Sequence, residues 1–456
     1  MGSLSVSPAK ALSDGKPVSD RAVWNGRAGD AHQNTSSAQN SSSADEVFAF
    51  LLELGSSLLA TGEAVSDLER RLLEAASAYG YPDTRVMVLP TAVALAGGPR
   101  EPMTLATPKL QGSGGAPLRL DQVTEVLNLA RSAANGELRA TDGIEALSQV
   151  RKMPRRENSI VRALAYVVVT LGVGLIIRPS AELLPSYLVL GLLVAILREG
   201  ASRVPGLTSI LPVLAAGVVS AIAFGVAGRY GPEPLAALIP PLVLFLPGAL
   251  LTTATVDLAS NEVVTGASRF LAGLLQLALL ALGIVAGAAL VGAAATKVPS
   301  RPLHLLGAWA PLVGVLVFGL GTALQHSAPR RSLPWLMLVL YAAWAGQVIG
   351  AALFGALLSG FVGGLVVAPL ATFIERFRSA PPALVSFLPA FWLLVPGALG
   401  LIGITQLVGD DALTGATTFG DALISIIAIA LGIIVGLQGL HIVEQALSSA
   451  HRIARS

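Results

Sequence analysis

Leu246-Pro247-Gly248-Ala249-Leu250 recurs 149 residues later as Val395-Pro396-Gly397-Ala398-Leu399, in a chain of 456 residues. Around these two stretches, residues 240–287 align with residues 389–436 without a gap. Two apolar segments that resemble each other by composition alone are not expected to place Pro, Gly and Thr at one fixed offset. The sequence therefore contains an internal repeat.

The composition places the repeat in a membrane. The whole chain is 53% hydrophobic and 13% charged, whereas soluble domains carry about 25% charged residues. Residues 160–456 contain 24 charged side chains, against 34 in the much shorter stretch 1–159. The protein is therefore not one water-soluble globule, and we expect a polar segment followed by a long membrane-embedded one.

The membrane-embedded part alternates apolar stretches with short polar breaks. Most of the stretches reach the ~17–25 residues that cross a hydrocarbon core. Ten spans are predicted, at 160–177, 183–197, 205–227, 235–256, 268–292, 304–324, 333–350, 352–373, 383–407 and 421–440. The fold class is thus mainly α, a polytopic membrane protein of about ten transmembrane helices.

The distribution of Lys and Arg orients these spans. If the N-terminal segment is cytoplasmic, fourteen Lys and Arg residues flank the spans on the cytoplasmic side and four on the other. Both termini are therefore predicted to be cytoplasmic. Each repeat holds five spans, an odd number, so the second unit (298–456) enters the membrane from the side opposite to the first (159–297). Such inverted repeats are typical of alternating-access transporters.

The polar segment divides into a tail and a small domain. Residues 1–43 are rich in Ser, Ala, Asn and Gly, and they are predicted to form a disordered tail. Residues 44–158 are predicted to form a small cytoplasmic α+β domain with four helices and one or two strands within 84–96. In its second helix Ser66 is the predicted N-cap, with Glu69 three residues later.

The two Pro-Gly pairs are candidate binding positions for a substrate carboxylate. Pro247 and Gly248 lie about 18 Å into the fourth span at ~1.5 Å per residue, near the bilayer midplane, and Pro396 and Gly397 lie equally deep in the ninth. Pro lacks an N–H and clashes with the preceding turn, so both helices are expected to break there. The half-helices beyond the breaks would direct free N–H groups at one site, which suits a carboxylate. The alternative is two structural kinks without a ligand.

Asp257 is the second candidate, ten residues beyond Pro247 and near the inner membrane boundary. An acid at that depth is costly unless it is paired or functional. It could bind a substrate ammonium, carry a coupling proton, pair with Arg269, or lie at a solvated helix end. In the second repeat Gln406 replaces Asp257, so the two halves are chemically unequal.

Hydroxyl groups on the same half-helix complete the candidate substrate site. Thr252, Thr253 and Thr255 lie within two turns of Asp257. They would either contact the substrate or bond to backbone carbonyls of their own helix.

Other chemistries find little support in the sequence. The chain has no Cys, its five His form no ligand-spaced pair, and Gly112–Gly115 lacks the Lys and the spacing of a phosphate-binding loop. No cofactor or metal is therefore predicted, and a net charge of +2 gives no case for nucleic acid. A membrane-bound hydrolase would have to act without a His in residues 45–158, and a channel would need a continuous polar pore, which the sequence does not show. The oligomeric state is open, and a homo-oligomer is compatible with the sequence.

Two groups of motifs resemble one known family. Leu54-Gly55-Ser56-Ser57-Leu58-Leu59-Ala60-Thr61-Gly62 with Asp67-Leu68-Glu69 resembles the N-terminal signature of the threonine/serine exporter family, as does Leu246–Thr252 with Asp257 and Gly266…Arg269. The C-terminal unit looks like that family's second half, which is a separate protein in some bacteria.

The resemblance also implies a function, which the composition and residue spacing of the chain do not show by themselves. It implies export of threonine and serine from a bacterial cytoplasm across the cell membrane, driven by the membrane potential or a proton gradient. By motif position it implies roles for Asp257 and Arg269. Transport of another small metabolite is the alternative within this resemblance, and the protein is not expected to be an enzyme.

Overall fold

The computed structural model describes residues 43–97, 104–106, 118–204, 206–230, 234–293, 305–394, 397–408 and 412–453. The predicted tail therefore lies outside the described residues, except for Ser43. Ser43 caps the first helix in a capping box, because its hydroxyl accepts from the Glu46 N–H and the Glu46 carboxylate accepts from the Ser43 N–H.

The polar N-terminal region contains four helices and a three-stranded sheet. The elements are α1 (Ala44–Leu59), α2 (Val65–Ala78), β1 (Arg85–Leu89), β2 (Ala92–Ala96), β3 (Thr104–Ala106), α3 (Leu120–Ala134) and α4 (Ala140–Lys152). The strands are antiparallel in the order β1-β2-β3. The first two lie on either side of Pro90, within the stretch 84–96 where one or two strands are predicted, whereas β3 lies outside that stretch.

This region is held together by an apolar cluster, which also includes Val385 from the later, apolar part of the chain. Phe50 and Leu54 of α1, Leu68 of α2 and Val93 of β2 are fully buried in it. Gly55 permits the close approach of α1 to α2, because a Cβ atom there would lie 2.9 Å from the Leu72 side chain. Burial of these side chains accounts for the helical spacing of large apolar residues in 48–59.

Residues 159–453 form the apolar part of the molecule. The helices are α5 (Ser159–Ile177), α6 (Leu184–Ala201), α7 (Leu207–Tyr230), α8 (Pro234–Leu242), α9 (Gly248–Ala259), α10 (Val263–Leu290), α11 (Trp309–Gln325), α12 (Leu333–Phe354), α13 (Ser359–Ile374), α14 (Ala383–Leu394), α15 (Gly397–Val408) and α16 (Ala412–Ile453).

These helices are those of a multi-pass membrane protein. Within the described residues, seven helices are long and apolar enough to cross a membrane, and the count reaches nine if each of two bent pairs is one span. The bent pairs are α8 with α9 and α14 with α15, and α11 is a shorter apolar helix. Each of the ten predicted segments coincides with one of these helices or pairs, but α11, with 17 residues, is at the lower limit of the spanning length and is not counted among the nine, so ten spans remain a prediction.

The helix contacts follow one pattern in both halves. α10 packs on α7 and α9, and α16 packs on α13 and α15; across the halves, α10 also meets α15 and α16 meets α9. Glycines permit the closest crossings, because a Cβ at Gly287 would lie 2.1 Å from the Gly217 oxygen and one at Gly436 would lie 2.6 Å from the Leu365 oxygen. Small residues at such crossings are typical of membrane helices.

Candidate functional site

Asp257 is held at the C-terminal end of α9 by a defined helix stop. Asn261 adopts a left-handed conformation with φ of +66°, and the Glu262 N–H donates to the Asp257 main-chain oxygen at 2.9 Å. The Asn261 N–H donates to the Leu258 oxygen at 3.2 Å, which completes a Schellman motif. The stop reverses the chain at once into α10, so the last turn of α9 faces the first turns of α10.

A buried ion pair joins these two helices. Arg269 Nη1 of α10 donates to Asp257 Oδ2 at 2.6 Å. The Asp257 side chain has no exposed surface and that of Arg269 is 11% exposed. Of the four roles that the sequence left open for Asp257, pairing with Arg269 is confirmed, and a solvated helix end is wrong because the carboxylate is buried.

The second oxygen of Asp257 binds the N-terminal region. The Val65 N–H, the first of α2, donates to Asp257 Oδ1 at 2.9 Å. α2 has Ala64 at its N-cap position and no side-chain cap of its own, so the prediction that Ser66 caps this helix is wrong. Asp257, 192 residues away, supplies the negative charge that the positive end of α2 attracts.

Arg269 contacts the same loop. Its Nη1 also donates to the main-chain oxygen of Glu63 at 3.1 Å. The loop is shaped by Thr61, whose hydroxyl donates to the Leu58 oxygen at 2.7 Å, and by Gly62, which has φ of +80°. The last residues of the signature, Leu58–Gly62, therefore end α1 and direct Glu63, Ala64 and Val65 onto the ion pair. We call residues 61–65 the docking loop.

Close packing of α9 and α10 supports this arrangement. A Cβ atom at Gly266 would lie 2.8 Å from the Leu258 side chain and 3.0 Å from the Ala254 oxygen. The neighbouring Thr265 is buried and donates its hydroxyl to the Val88 oxygen of β1 at 3.2 Å. Gly266 thus permits the contact between the helices, and Thr265 ties the sheet to α10.

Glu63 is a buried carboxyl group beside the ion pair. It is 5% exposed, its Oε2 accepts from Arg71 Nε at 3.3 Å, and its Oε1 is buried with no hydrogen-bond partner among the described residues. Burial raises the pKa of Glu63 to about 7, and the opposing effect of Arg71 is smaller. Sequence reasoning missed Glu63; the only available signal was its place directly after Thr61-Gly62.

The break in the fourth predicted span is present at Pro247. α8 passes into a short 3₁₀ turn (Val243–Phe245), α9 begins at Gly248, and the two helix directions differ by 55°. Gln276 of α10 stabilises the break by donating to the Phe245 oxygen at 2.6 Å. Pro247 has no N–H, and its oxygen accepts from the Leu251 N–H at 2.9 Å.

The first turn of α9 leaves donor groups at this break. Within the described residues, the N–H groups of Gly248, Ala249 and Leu250 find no backbone acceptor, as at the start of any helix without a cap. Thr252 is fully buried and donates its hydroxyl to the Gly248 oxygen at 3.1 Å. Thr255 likewise donates to the Leu251 oxygen at 2.9 Å, so both bond to their own helix. Thr253 is half-buried, and its hydroxyl makes no hydrogen bond to another described residue.

The second repeat is described less completely at the matching place. Pro396 lies outside the described residues, and Gly397 is the first residue of α15. The directions of Ala383–Leu394 and Leu399–Gln406 differ by 40°. Gln406, the counterpart of Asp257, has a buried Oε1 with no hydrogen-bond partner among the described residues. No ion pair like that of Asp257 is therefore possible here.

The structure thus places four of the described residues in one buried polar site between the N-terminal region and the membrane helices: Glu63, Val65, Asp257 and Arg269. Pro247 and Gly248 lie apart from this site, at the other end of α9. The site can attract a cation or a proton through its carboxyl groups, and the break can accept an anion. Within the described residues, no group of three His, Asp or Glu side chains is arranged to hold a metal ion.

Comparison with known proteins gives one match. A family model described as "Putative threonine/serine exporter" matches residues 49–291, more than half of the chain. The match runs from within α1 to the end of α10 and includes the docking loop, the ion pair and the break. No curated protein and no solved structure matches. The chain therefore belongs to the threonine/serine exporter family, a family of membrane transporters.

Proposed function

We propose that this protein exports threonine, serine and similar small amino acids from a bacterial cytoplasm by alternating access, driven by a proton gradient. The observation that carries the proposal is the broken fourth span inside the region that matches the exporter family. A half-helix that starts inside the membrane presents N–H groups and a positive dipole end, which suit a substrate carboxylate.

The break is a suitable place for a small zwitterion. Gly248 has no side chain to block the first turn of α9, and the half-buried Thr253 on the same helix makes no hydrogen bond to another described residue, so its hydroxyl is the one we propose for contact with a substrate hydroxyl. α9 contacts α16, and α15 contacts α10, so the helices that follow the two Pro-Gly pairs lie at the contact between the two halves. Inverted repeats, ten spans and a paired site at Pro396-Gly397 and Gln406 are parts of the proposal.

The contacts of the N-terminal region support the proposed membrane orientation. The N-terminal region (43–153) contacts α9 and α10 near Asp257. It contacts the end of α11 through a hydrogen bond from the Leu120 N–H to the His326 oxygen. It contacts the end of α13 through an ion pair between Arg131 and Glu375. All of these ends are predicted to face the cytoplasm. Pro179 and Leu306, at two ends predicted to face outward, hydrogen-bond to each other. The contacts therefore favour cytoplasmic termini and a cytoplasmic N-terminal region.

The docking loop gives the N-terminal region a gating role in this proposal. Asp257 and Arg269 bond to each other and to residues 63 and 65, so the docked loop lies against the pair. Release of the loop would uncover the pair at the end of α9 that is predicted to be cytoplasmic. In that state the pair could receive the ammonium and carboxylate of an arriving amino acid.

The test is a transport assay with the purified full chain in proteoliposomes. Threonine, serine, alanine, glutamate and lysine are loaded in turn, and efflux is measured with and without an imposed pH gradient. We expect saturable efflux of threonine and serine that the gradient accelerates, and no efflux of glutamate or lysine. Equal leakage of all five solutes would indicate a channel and contradict the proposal.

A further inference from the structure

We infer that Glu63 is a proton-binding residue that takes up one proton when the docking loop binds the Asp257–Arg269 pair and releases it when the loop leaves. The inference rests on the proposed function only where it links this proton to transport. The binding step itself concerns residues that the structure places in contact.

The geometry leaves one carboxyl oxygen of Glu63 for the proton. Oε2 is held by Arg71, at 3.3 Å, whereas Oε1 is buried and has no partner in the described part of the chain. A buried, unpaired anionic oxygen is costly, and protonation removes the charge that needs a partner. The proton comes from solution onto Oε1, and no other bond changes.

The charged groups around Glu63 do not cancel this cost. From α2, Arg71 and Arg70 favour the ionised carboxylate and Asp67 opposes it. From the membrane side, Arg269 reaches the Glu63 main-chain oxygen, not its carboxylate, and its charge is neutralised by Asp257. The loss of hydration therefore dominates and raises the pKa of Glu63 from 4.5 to about 7.

The sign of the coupling follows from linkage. A released loop exposes Glu63 to water, where its pKa is the ordinary 4.5, so the docked state binds more protons between pH 4.5 and about 7. The equilibrium constant for docking is therefore largest below pH 4.5. It falls by up to about tenfold per pH unit between pH 4.5 and about 7, and it is constant above pH 7. At neutral pH the loop is thus poised to respond to proton concentration.

The experiment measures docking without measuring transport. Hydrogen–deuterium exchange of the peptide that contains Val65, whose N–H bonds to Asp257, is followed in the full chain in nanodiscs from pH 5 to 8.5, with correction for intrinsic exchange. For the wild type we expect protection to fall at least tenfold between pH 5 and 7.5 and then level off. Protection that is independent of pH would overturn the inference.

Three variants sharpen the test. Glu63→Gln mimics the neutral carboxyl and should keep protection high and constant, whereas Glu74→Gln, an exposed control on α2, should behave as the wild type. Arg71→Gln removes a group that lowers the pKa of Glu63, so its protection should persist to higher pH. A purely structural Glu63–Arg71 ion pair predicts the opposite, weaker protection of Arg71→Gln at every pH, and that result would overturn the inference.

Two further measurements test whether Oε1 binds a proton or a metal cation, and whether this binding is linked to transport. Replacement of Na⁺ by choline at constant ionic strength should leave the pH profile unchanged, and a Na⁺ requirement would show that Oε1 binds a metal cation instead of a proton. In proteoliposomes, threonine efflux by Glu63→Gln should no longer respond to a pH gradient. If no variant moves threonine at all, the proposed function fails, while the exchange profile still decides the role of Glu63.

Discussion

At the residue scale, the molecule depends on a buried charge pair shared between two parts of the chain. Asp257 accepts hydrogen bonds from Arg269 and from the Val65 N–H, and its side chain is fully buried. A buried pair contributes little net stability by itself, but removal of one partner leaves an uncompensated charge. The pair therefore determines where the N-terminal region binds more than how tightly the helices pack.

Single replacements in the pair should therefore be more harmful than the double replacement. We expect Arg269→Gln and Asp257→Asn each to cost about 3–5 kcal/mol of stability, because each strands a buried charge. The double variant should recover much of that loss, since no charge remains. Thermal unfolding in detergent measures the effect.

The control is Arg70→Gln, which breaks an exposed pair with Asp67. Surface pairs contribute about 0–1 kcal/mol, so its melting temperature should match the wild type. A double variant that is as unstable as the sum of the two single variants would show that the pair is not energetically coupled.

At the element scale, glycines fix how closely the helices cross. Gly287 of α10 approaches the Gly217 oxygen of α7, and Gly436 of α16 approaches the Leu365 oxygen of α13. Gly287→Leu and Gly436→Leu should each lower stability by about 1–3 kcal/mol, because overpacking forces helices apart. Thermal unfolding in detergent checks the prediction.

α16 also provides the matched control for this prediction. A Cβ atom at Gly439 meets nothing within 4 Å, so Gly439→Leu should leave the unfolding temperature unchanged. Equal sensitivity of positions 436 and 439 would contradict the packing account.

The elements themselves could largely be predicted, and the contacts between them could not. The length of the apolar stretches located the seven apolar helices and the two bent pairs, and Pro247-Gly248 indicated the break, because hydropathy and proline act over a few residues. The cap of α2 was missed because its acceptor, Asp257, is 192 residues away. Glu63 was missed for a similar reason, since its burial arises from the folded surroundings and no local pattern encodes it.

At the scale of the whole molecule, the N-terminal region bonds to Asp257, His326 and Glu375, which all lie at helix ends predicted to be cytoplasmic. Cysteine labelling tests this orientation, because the natural chain has no Cys. Ala181→Cys should react with an impermeant maleimide added outside, whereas Ser202→Cys and Ser379→Cys should not; all three positions are exposed. Permeabilised cells, in which all three should react, serve as the control, and the reverse pattern in intact cells would refute the orientation.

The central claim is that the break at Pro247-Gly248 binds the transported amino acid, and threonine efflux from proteoliposomes tests it most directly. Pro247→Ala with Gly248→Ala should let α8 and α9 run as one helix and remove the free N–H groups. Hydrogen bonds to a charged group contribute about 1.5–3 kcal/mol each, so the apparent affinity for threonine should fall at least tenfold at equal protein incorporation. Pro212→Ala, at a proline inside the continuous helix α7, should keep wild-type affinity. Wild-type threonine efflux by the double variant would contradict the account.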